Sequence, residues 1–259
     1  MRTERRYFPN IENKVAIVTG AGSGIGRETS IQLAAKGVRV AVVDLSVEGG
    51  NETVRLIKEA GFEAFFIQAD VGSREDVKHY VEKTVDTYGT IDMFFNNAGI
   101  EGAVSPLAEY PEDIFEKVID INLKGAFYGM KYVLQVMLEN GGGSIVNTAS
   151  NAGLVGSPGV SPYAATKHGV IGLTKTATGE YASQGIRVNA IAPGPTATGM
   201  MDRFTQGSEE AKKAVESGIP AGRYGTAKEV ASLVVFLLGD EANIINGAVY
   251  PIDGGLTSL

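Results

Sequence analysis

Cysteine is missing from this 259-residue chain, which removes disulfides, thiolate catalysis and cysteine-type zinc sites together. Histidine is almost missing: His79 and His168 are the whole supply, too few for a histidine-rich metal site, and no metal is expected. No apolar run approaches the roughly 18 residues of a membrane-spanning helix. Residues 1–10 carry Arg2, Arg5 and Arg6 without an apolar stretch behind them, so residues 1–13 read as a short tail and not as a secretory signal. Positive charge is in deficit as well. With 30 Asp and Glu against 23 Lys and Arg, the net charge is −7, the opposite of a nucleic-acid-binding face. The expectation is a soluble, cytoplasmic protein with no nucleic-acid or membrane partner.

Glycine is what the chain has in excess, 34 residues against a usual share of roughly 7%. Apolar residues at 44% and charged residues at 20% are those of a globular domain. No linker, charge block or low-complexity stretch divides the sequence, so residues 14–259 read as a single domain.

Short β-branched or aromatic runs alternate with amphipathic stretches from end to end. The strand candidates are Val15–Thr19, Val38–Val43, Ala64–Gln68, Ile91–Phe95, Ser144–Thr148, Arg187–Ile191 and Ala248–Ile252. Most are continuously apolar, as strands buried on both faces are. Helical spacing runs through Val77, Val81, Val85 and Tyr88, through Ile114, Val118 and Ile121, and through Val230, Leu233, Val234 and Leu237. The last of these opens with Thr226 and Glu229 at capping-box spacing and stops at Gly239. Parallel strands need crossovers, so the expected fold is α/β: a doubly wound, Rossmann-type domain with a seven-stranded, mostly parallel sheet and helices on both faces.

Ligands of such sheets bind beyond the carboxyl ends of the strands, and the unusual residues cluster there. Gly20 to Gly26 follow the first strand, Asp44 the second and Asp70 the third. Asn96-Asn97-Ala98-Gly99 follow the fourth, Ser150 the fifth and Pro193-Gly194 the sixth. The first loop, Thr19-Gly20-Ala21-Gly22-Ser23-Gly24-Ile25-Gly26, fits the spacing T-G-x-x-x-G-x-G. Its glycines let the backbone approach a pyrophosphate, and the next helix offers its first amides to that anion. Asp44 can accept both hydroxyls of an adenosine ribose and would repel a 2′-phosphate, while neither Ser23 nor Leu45 supplies a cation for one. The reading is NAD.

Tyr163 and Lys167 stand four residues apart, on one helix face. Hydride transfer to a carbonyl needs a proton donor at the oxygen, and the reverse reaction needs the same group as base. A phenol near pKa 10 is mistuned at neutral pH by about 3 units, roughly 4 kcal/mol. A cation at about 4 Å is worth a similar amount at an effective dielectric of 20, so Lys167, helped by a positive nicotinamide ring, is expected to tune Tyr163. The spacing alone is not diagnostic, because Tyr224 and Lys228 repeat it. That second pair leads into the capping box at Thr226, has Ala211 where a partner serine would stand, and reads as structural. Tyr163 has Ser150 thirteen residues before it, where a hydroxyl can stabilise charge on a substrate oxygen. Asn122, unfavourable inside a helix, marks either a kink at Asn122 to Gly125 or an amide holding a water that relays protons towards Lys167. His168 follows Lys167 but points roughly 100° away; His79 lies between Lys78 and Glu82 on a polar face. Both read as non-catalytic.

These motifs resemble the short-chain dehydrogenase/reductase family in its form of about 250 residues, over nearly the whole chain from Lys14 to Gly255. The resemblance rests on Thr19–Gly26, Asp70-Val71, Asn96–Gly99, Asn122, Ser150, Tyr163, Lys167, Pro193-Gly194 with Thr198, and Asp253-Gly254-Gly255. It implies that Tyr163 is the acid/base, that Lys167 also binds the nicotinamide ribose, that Ser150 orients substrate and that Asn122 acts through water. It further implies adenine contacts from Asp70 and Val71, and Asn97, Ala98 and Gly99 beside the adenosine ribose. Thr196 and Thr198 would meet the nicotinamide and pyrophosphate. A homotetramer is implied, built partly from the helices near Pro111 and Tyr163.

The stretch of residues 199–220 resembles the family's substrate lid, with Met200, Met201 and Phe204 in its first half; Glu101 and Leu154 are expected to border the pocket. The segment from Asp92 to Gly102 is similar to that of members acting on cyclic ketones or diols. The implied activity is NAD-dependent hydride transfer between nicotinamide and a small secondary alcohol or ketone. Two alternatives stand beside it. One is a 3-oxoacyl-carrier-protein reductase, against which Glu101-Gly-Ala-Val replaces the usual basic segment. The other is a catalytically idle NAD-binding regulator, against which the full set Asn122, Ser150, Tyr163 and Lys167 argues.

Overall fold

The computed structural model describes residues 11–258. The first ten residues of the expected tail lie outside the described residues; of the remainder, Ile11 is buried against the core and the Asn13 amide donates to the Gly37 carbonyl at 2.9 Å.

Strand and helix alternate in the expected order. β1 (Val15–Thr19), α1 (Gly24–Ala34), β2 (Arg39–Asp44), α2 (Val47–Glu59), β3 (Ala64–Gln68), α3 (Arg74–Tyr88) and β4 (Met93–Asn96) form the first half. Then come α4 (Glu112–Val118), a π turn (Ile119–Lys124) and α5 (Gly125–Glu139), continuous as one helix. β5 (Gly143–Thr148), α6 (Ser161–Tyr181) and β6 (Ile186–Pro193) follow. The remaining elements are β7 (Thr196–Ala197), α7 (Gly199–Phe204), α8 (Glu209–Ser217), β8 (Gly225–Thr226), α9 (Ala227–Leu238) and β9 (Val249–Ile252).

Seven strands form one sheet in the order β3-β2-β1-β4-β5-β6-β9, and every pairing in it is parallel. A separate two-stranded pair, β7 with β8, lies beyond the end of β6. β1 pairs with β2 on one side and with β4 on the other, so the winding reverses there and leaves a crevice at the carboxyl ends of β1 and β4. Pairing with β9 carries β6 on to Pro193 (Pro193 opposite Ile252), two residues past the expected end at Ile191.

The apolar strands bury both faces. Along β1, Ala16 and Val18 face Leu33 of α1, Ile57 of α2 and Val230 and Val234 of α9. Ile17 faces the other layer, with Val77 and Tyr80 of α3, Val133 and Met137 of α5 and Ala177 of α6. This two-sided burial explains why β1 to β6 lack the alternation of half-exposed strands. Between the layers, Asn147 of β5 accepts from Asn96 of β4 at 3.0 Å and donates to Thr174 of α6 at 2.9 Å, a fully satisfied buried network tying sheet to helix. No helix among the described residues is long and apolar enough to cross a membrane.

Candidate active site

One cleft of about 480 Å³ gathers the strand ends. Its lining includes Gly20, Ser23, Gly24, Ile25, Asp44, Leu45, Asp70, Val71, Asn97, Ala98 and Gly99 from the first half of the chain. From the second half come Ser150, Tyr163, Lys167, Pro193, Gly194, Thr196, Thr198 and Met200, with Glu101 between the halves. Nearly all sequence-derived candidates therefore meet at one place.

Three do not line it. Gly26 lies beneath the loop, where a Cβ would stand 2.1 Å from the Gly20 carbonyl oxygen, so only glycine lets α1 approach so closely. Asn122 is buried behind Ile100. Leu154, expected at the pocket's border, instead packs with Ala126, Ala149, Val170 and Ile171, because the turn after Ser150 carries its side chain back towards α5 and α6.

The glycine loop fits a dinucleotide's phosphates. Gly20 turns at φ 64° and Gly24 at φ 50°, and Ser23 at the N-cap of α1 makes no side-chain capping bond. The first amides of α1 are thus left for an anion, with the positive end of the helix behind them. The Asp44 carboxylate accepts from the Gly22 amide at 2.7 Å and the Ser46 amide at 2.8 Å, which anchors it at the end of β2 while leaving lone pairs for hydroxyls. Arg27 grips the loop from below. Its guanidinium donates to the Gly22 carbonyl, to Thr53 Oγ1 at 3.0 Å and to the Gly49 carbonyl at 3.3 Å. Sequence reading missed this arginine, whose acceptors, two backbone carbonyls and a threonine hydroxyl, have no sequence signature.

At the centre of the crevice, Thr19 Oγ1 accepts from the amides of Asn97 at 2.9 Å and Ala98 at 3.1 Å, so β1 sets the loop after β4. Asn97 Nδ2 returns a bond to the Thr19 carbonyl at 3.0 Å, and Thr148 Oγ1 donates to Asn97 Oδ1 at 3.1 Å.

Lys167 is 4% exposed. Its Nζ donates to the Thr148 carbonyl at 2.8 Å and lies 5.5 Å from the centre of the Tyr163 ring. Burial pulls the ammonium down to about 8. The phenol of Tyr163 stands above its ordinary value because burial outweighs the lowering by the Ser150 hydroxyl, and the charge of Glu101 pushes the same way. Lys167, expected to tune the phenol together with a positive nicotinamide ring, is held beside it by its bond to Thr148. Ser150 Oγ accepts from the Ala152 amide at 3.2 Å and donates to Asn151 Oδ1 at 3.0 Å, which fixes the hydroxyl beside the cleft.

Asn122 falls in the π turn, and both ends of its amide bond the same residue. Oδ1 accepts from the Ile100 amide and Nδ2 donates to the Ile100 carbonyl, each at 2.8 Å. The side chain is a clamp between the helix and the loop after β4. His79 and His168 are exposed, and His168 Nδ1 lies 2.9 Å from the Ala164 carbonyl of its own helix. Tyr224 donates to the Lys212 carbonyl at 2.8 Å, while Thr226 and Glu229 complete the capping box of α9. The second Tyr–Lys pair is structural.

The lining also holds residues the sequence reading passed over, among them Ile100, Asn151, Ser157 and Arg203. Arg203 of α7 donates to Glu101 through Nε at 2.6 Å and Nη2 at 3.2 Å. The partners are 102 residues apart, and no local pattern announces such a contact.

Comparison with known proteins places this geometry. The sequence profile of a family described as Enoyl-(Acyl carrier protein) reductase matches residues 20–257. A levodione reductase of Leifsonia aquatica is 44% identical over 94% of this chain and 94% of its own. A cyclohexanol dehydrogenase of Acinetobacter sp. (strain SE19) is 45% identical over 98% and 99%. A 3-oxoacyl-acyl-carrier-protein reductase of Thermotoga maritima is 41% identical over 95% and 98%. Among solved structures, levodione reductase superposes with a TM-score of 0.92 at 44% identity, covering 95% of this chain and 98% of that one. An NAD+-bound xylitol dehydrogenase gives 0.90 at 38% over 94% and 99%. An actinorhodin polyketide ketoreductase variant with NADPH gives 0.91 at 38% over 95% and 98%.

Proposed function

The chain belongs to the short-chain dehydrogenase/reductase family and is an oxidoreductase of it, and from that premise we propose that it interconverts small secondary alcohols and ketones, cyclic ones in particular, with NAD. The observation that carries the reading is that Tyr163, Ser150 and Lys167 line the same cleft as the glycine loop and Asp44.

Gly20, Ser23, Gly24 and Ile25 would hold the pyrophosphate, Asp44 the adenosine ribose, Asp70 and Val71 the adenine, and Lys167 with Thr196 and Thr198 the nicotinamide end. When bound, the dinucleotide supplies the hydride acceptor or donor and, oxidised, a positive ring. Asp44 supports NAD over NADP, since a 2′-phosphate beside this carboxylate would meet like charge, and exposed Leu45 offers no cation. Ser150 Oγ holds the substrate oxygen and stabilises the charge that develops there. The Tyr163 hydroxyl passes its proton to that oxygen in reduction and takes it back in oxidation. Its raised pKa keeps it protonated at neutral pH, the form that ketone reduction requires. Lys167 keeps a cationic donor at the end of β5, anchored on Thr148. Met200, Met201 and Phe204 form an adaptable apolar wall on the segment 199–220, which we read as the substrate lid. The family supports a homotetramer working in the cytoplasm.

The test is steady-state turnover of cyclic and linear ketones with NADH and NADPH, and of the matching alcohols with NAD+ and NADP+. The expected result is turnover of ring ketones such as cyclohexanone with preference for NADH. Nucleotide binding without turnover of any secondary alcohol or ketone would favour the idle regulator and overturn the reading.

A further inference from the structure

The outer end of the cleft carries a charge arrangement that the chemistry of hydride transfer does not require. Among the described residues lining the cleft, the charged side chains are Asp44 and Asp70 at the adenosine end, Lys167 at the reacting centre, and Glu101 with Arg203 at the mouth. Glu101 sits next to Ile100, which Asn122 clamps, so its position is set by the buried frame of the site. Its side chain is only 18% exposed and takes two hydrogen bonds from the Arg203 guanidinium, whose side chain is 62% exposed. This two-pronged geometry satisfies the guanidinium fork on its carboxylate-seeking edge. Around the pair the wall is apolar, from Val160, Met200, Met201 and Phe204.

With the guanidinium largely in solvent, the ion pair contributes little to stability; its consequence is for charge selection. A substrate carrying a carboxylate would find the Nε–Nη2 edge of the Arg203 guanidinium already occupied by Glu101 and would meet that residue's negative charge on the way to the remaining edge. An uncharged substrate meets neither cost. We propose that Glu101 and Arg203 form a specificity-determining pair that restricts the site to uncharged alcohols and ketones, and that removing the charge of Glu101 turns Arg203 into a carboxylate receptor. This rests on the cleft's being a ketone site, and it extends that reading to the part of the substrate remote from the reacting oxygen.

The experiment compares wild type, Glu101→Gln and the double variant Glu101→Gln/Arg203→Gln with cyclohexanone and 4-oxocyclohexane-1-carboxylate, using NADH. Wild type is expected to favour the neutral ketone in kcat/KM. Glu101→Gln is expected to raise the carboxylate-to-neutral ratio about tenfold, and the double variant to lose that gain. Binding of cyclohexanecarboxylate to the enzyme–NADH complex, followed by nucleotide fluorescence, gives a readout that needs no turnover and is expected to tighten about tenfold in Glu101→Gln only. A ratio and an affinity unmoved by Glu101→Gln, or a gain that survives loss of Arg203, would overturn the proposal. If no ketone is reduced by wild type yet the carboxylate binds more tightly to Glu101→Gln, the ketone reading falls and the pair stands. Turnover of cyclohexanone without that tightening gives the converse.

Discussion

Tyr163 and Lys167 illustrate how one helical turn serves opposed ends. The same burial that shields the reacting centre from water makes both charged forms costly, raising the phenol and lowering the ammonium. Replacing Tyr163 by Phe removes the proton donor and leaves the dinucleotide contacts in place, so kcat is expected to fall by about 10²- to 10⁴-fold with little change in NAD affinity by fluorescence titration. Substantial retained turnover would remove Tyr163 from the chemistry. Lys167 has a stability signature. Folding lowers its pKa from 10.5 to about 8, so between those values the unfolded chain binds the extra proton. The residue therefore opposes folding at pH 7, and the opposition is relieved as pH rises from 8 to 10.5. The unfolding free energy of wild type, taken relative to Lys167→Met, is expected to climb across that window by at most about 3 kcal/mol; a flat difference in urea titrations would indicate a solvated amine. Asp44→Ala is expected to narrow the preference for NADH over NADPH in kcat/KM, and a native preference for NADPH would contradict the role given to this carboxylate.

At the scale of elements, the helix from Glu112 to Glu139 is the informative one. Its π turn places Asn122 against Ile100, and two 2.8 Å bonds then hold the loop on which Asn97 to Glu101 lie. Asn122 is 2% exposed, so Asn122→Ala leaves a buried amide and carbonyl unpaired. The expected loss is about 2–3 kcal/mol, read as a lower urea midpoint at constant slope. A loss within experimental error would mean that the loop is held by other contacts. The irregularity of this segment was legible, since an asparagine and a glycine interrupt an otherwise helical pattern, but the clamp on Ile100 was not. That contact depends on a loop 22 residues earlier in the chain.

For the whole molecule, exposed apolar side chains mark where further association is expected. Phe115 on α4 and Phe127 on α5 are 41% and 46% exposed, on the helix that the family resemblance assigns to subunit contacts. Light scattering is expected to report a tetramer, and Phe127→Glu to shift it towards smaller species; a wild-type monomer would contradict the assembly.

The alternation of apolar runs and helical stretches, read along the chain, already determined a parallel sheet with helices on both faces, because parallel strands buried on both sides have no other economical connection. The residues at the strand ends likewise announced a nucleotide cleft, since their backbone and hydrogen-bonding demands are local and repeat a known order. What only the folded chain decided were contacts without a local signature: Arg27 on the Gly22 and Gly49 carbonyls, Asn122 on Ile100, Leu154 packed on α5 and α6, and Arg203 across the mouth to Glu101. Each depends on the direction of a side chain across a gap between distant segments, and periodicity and spacing carry no information about that direction.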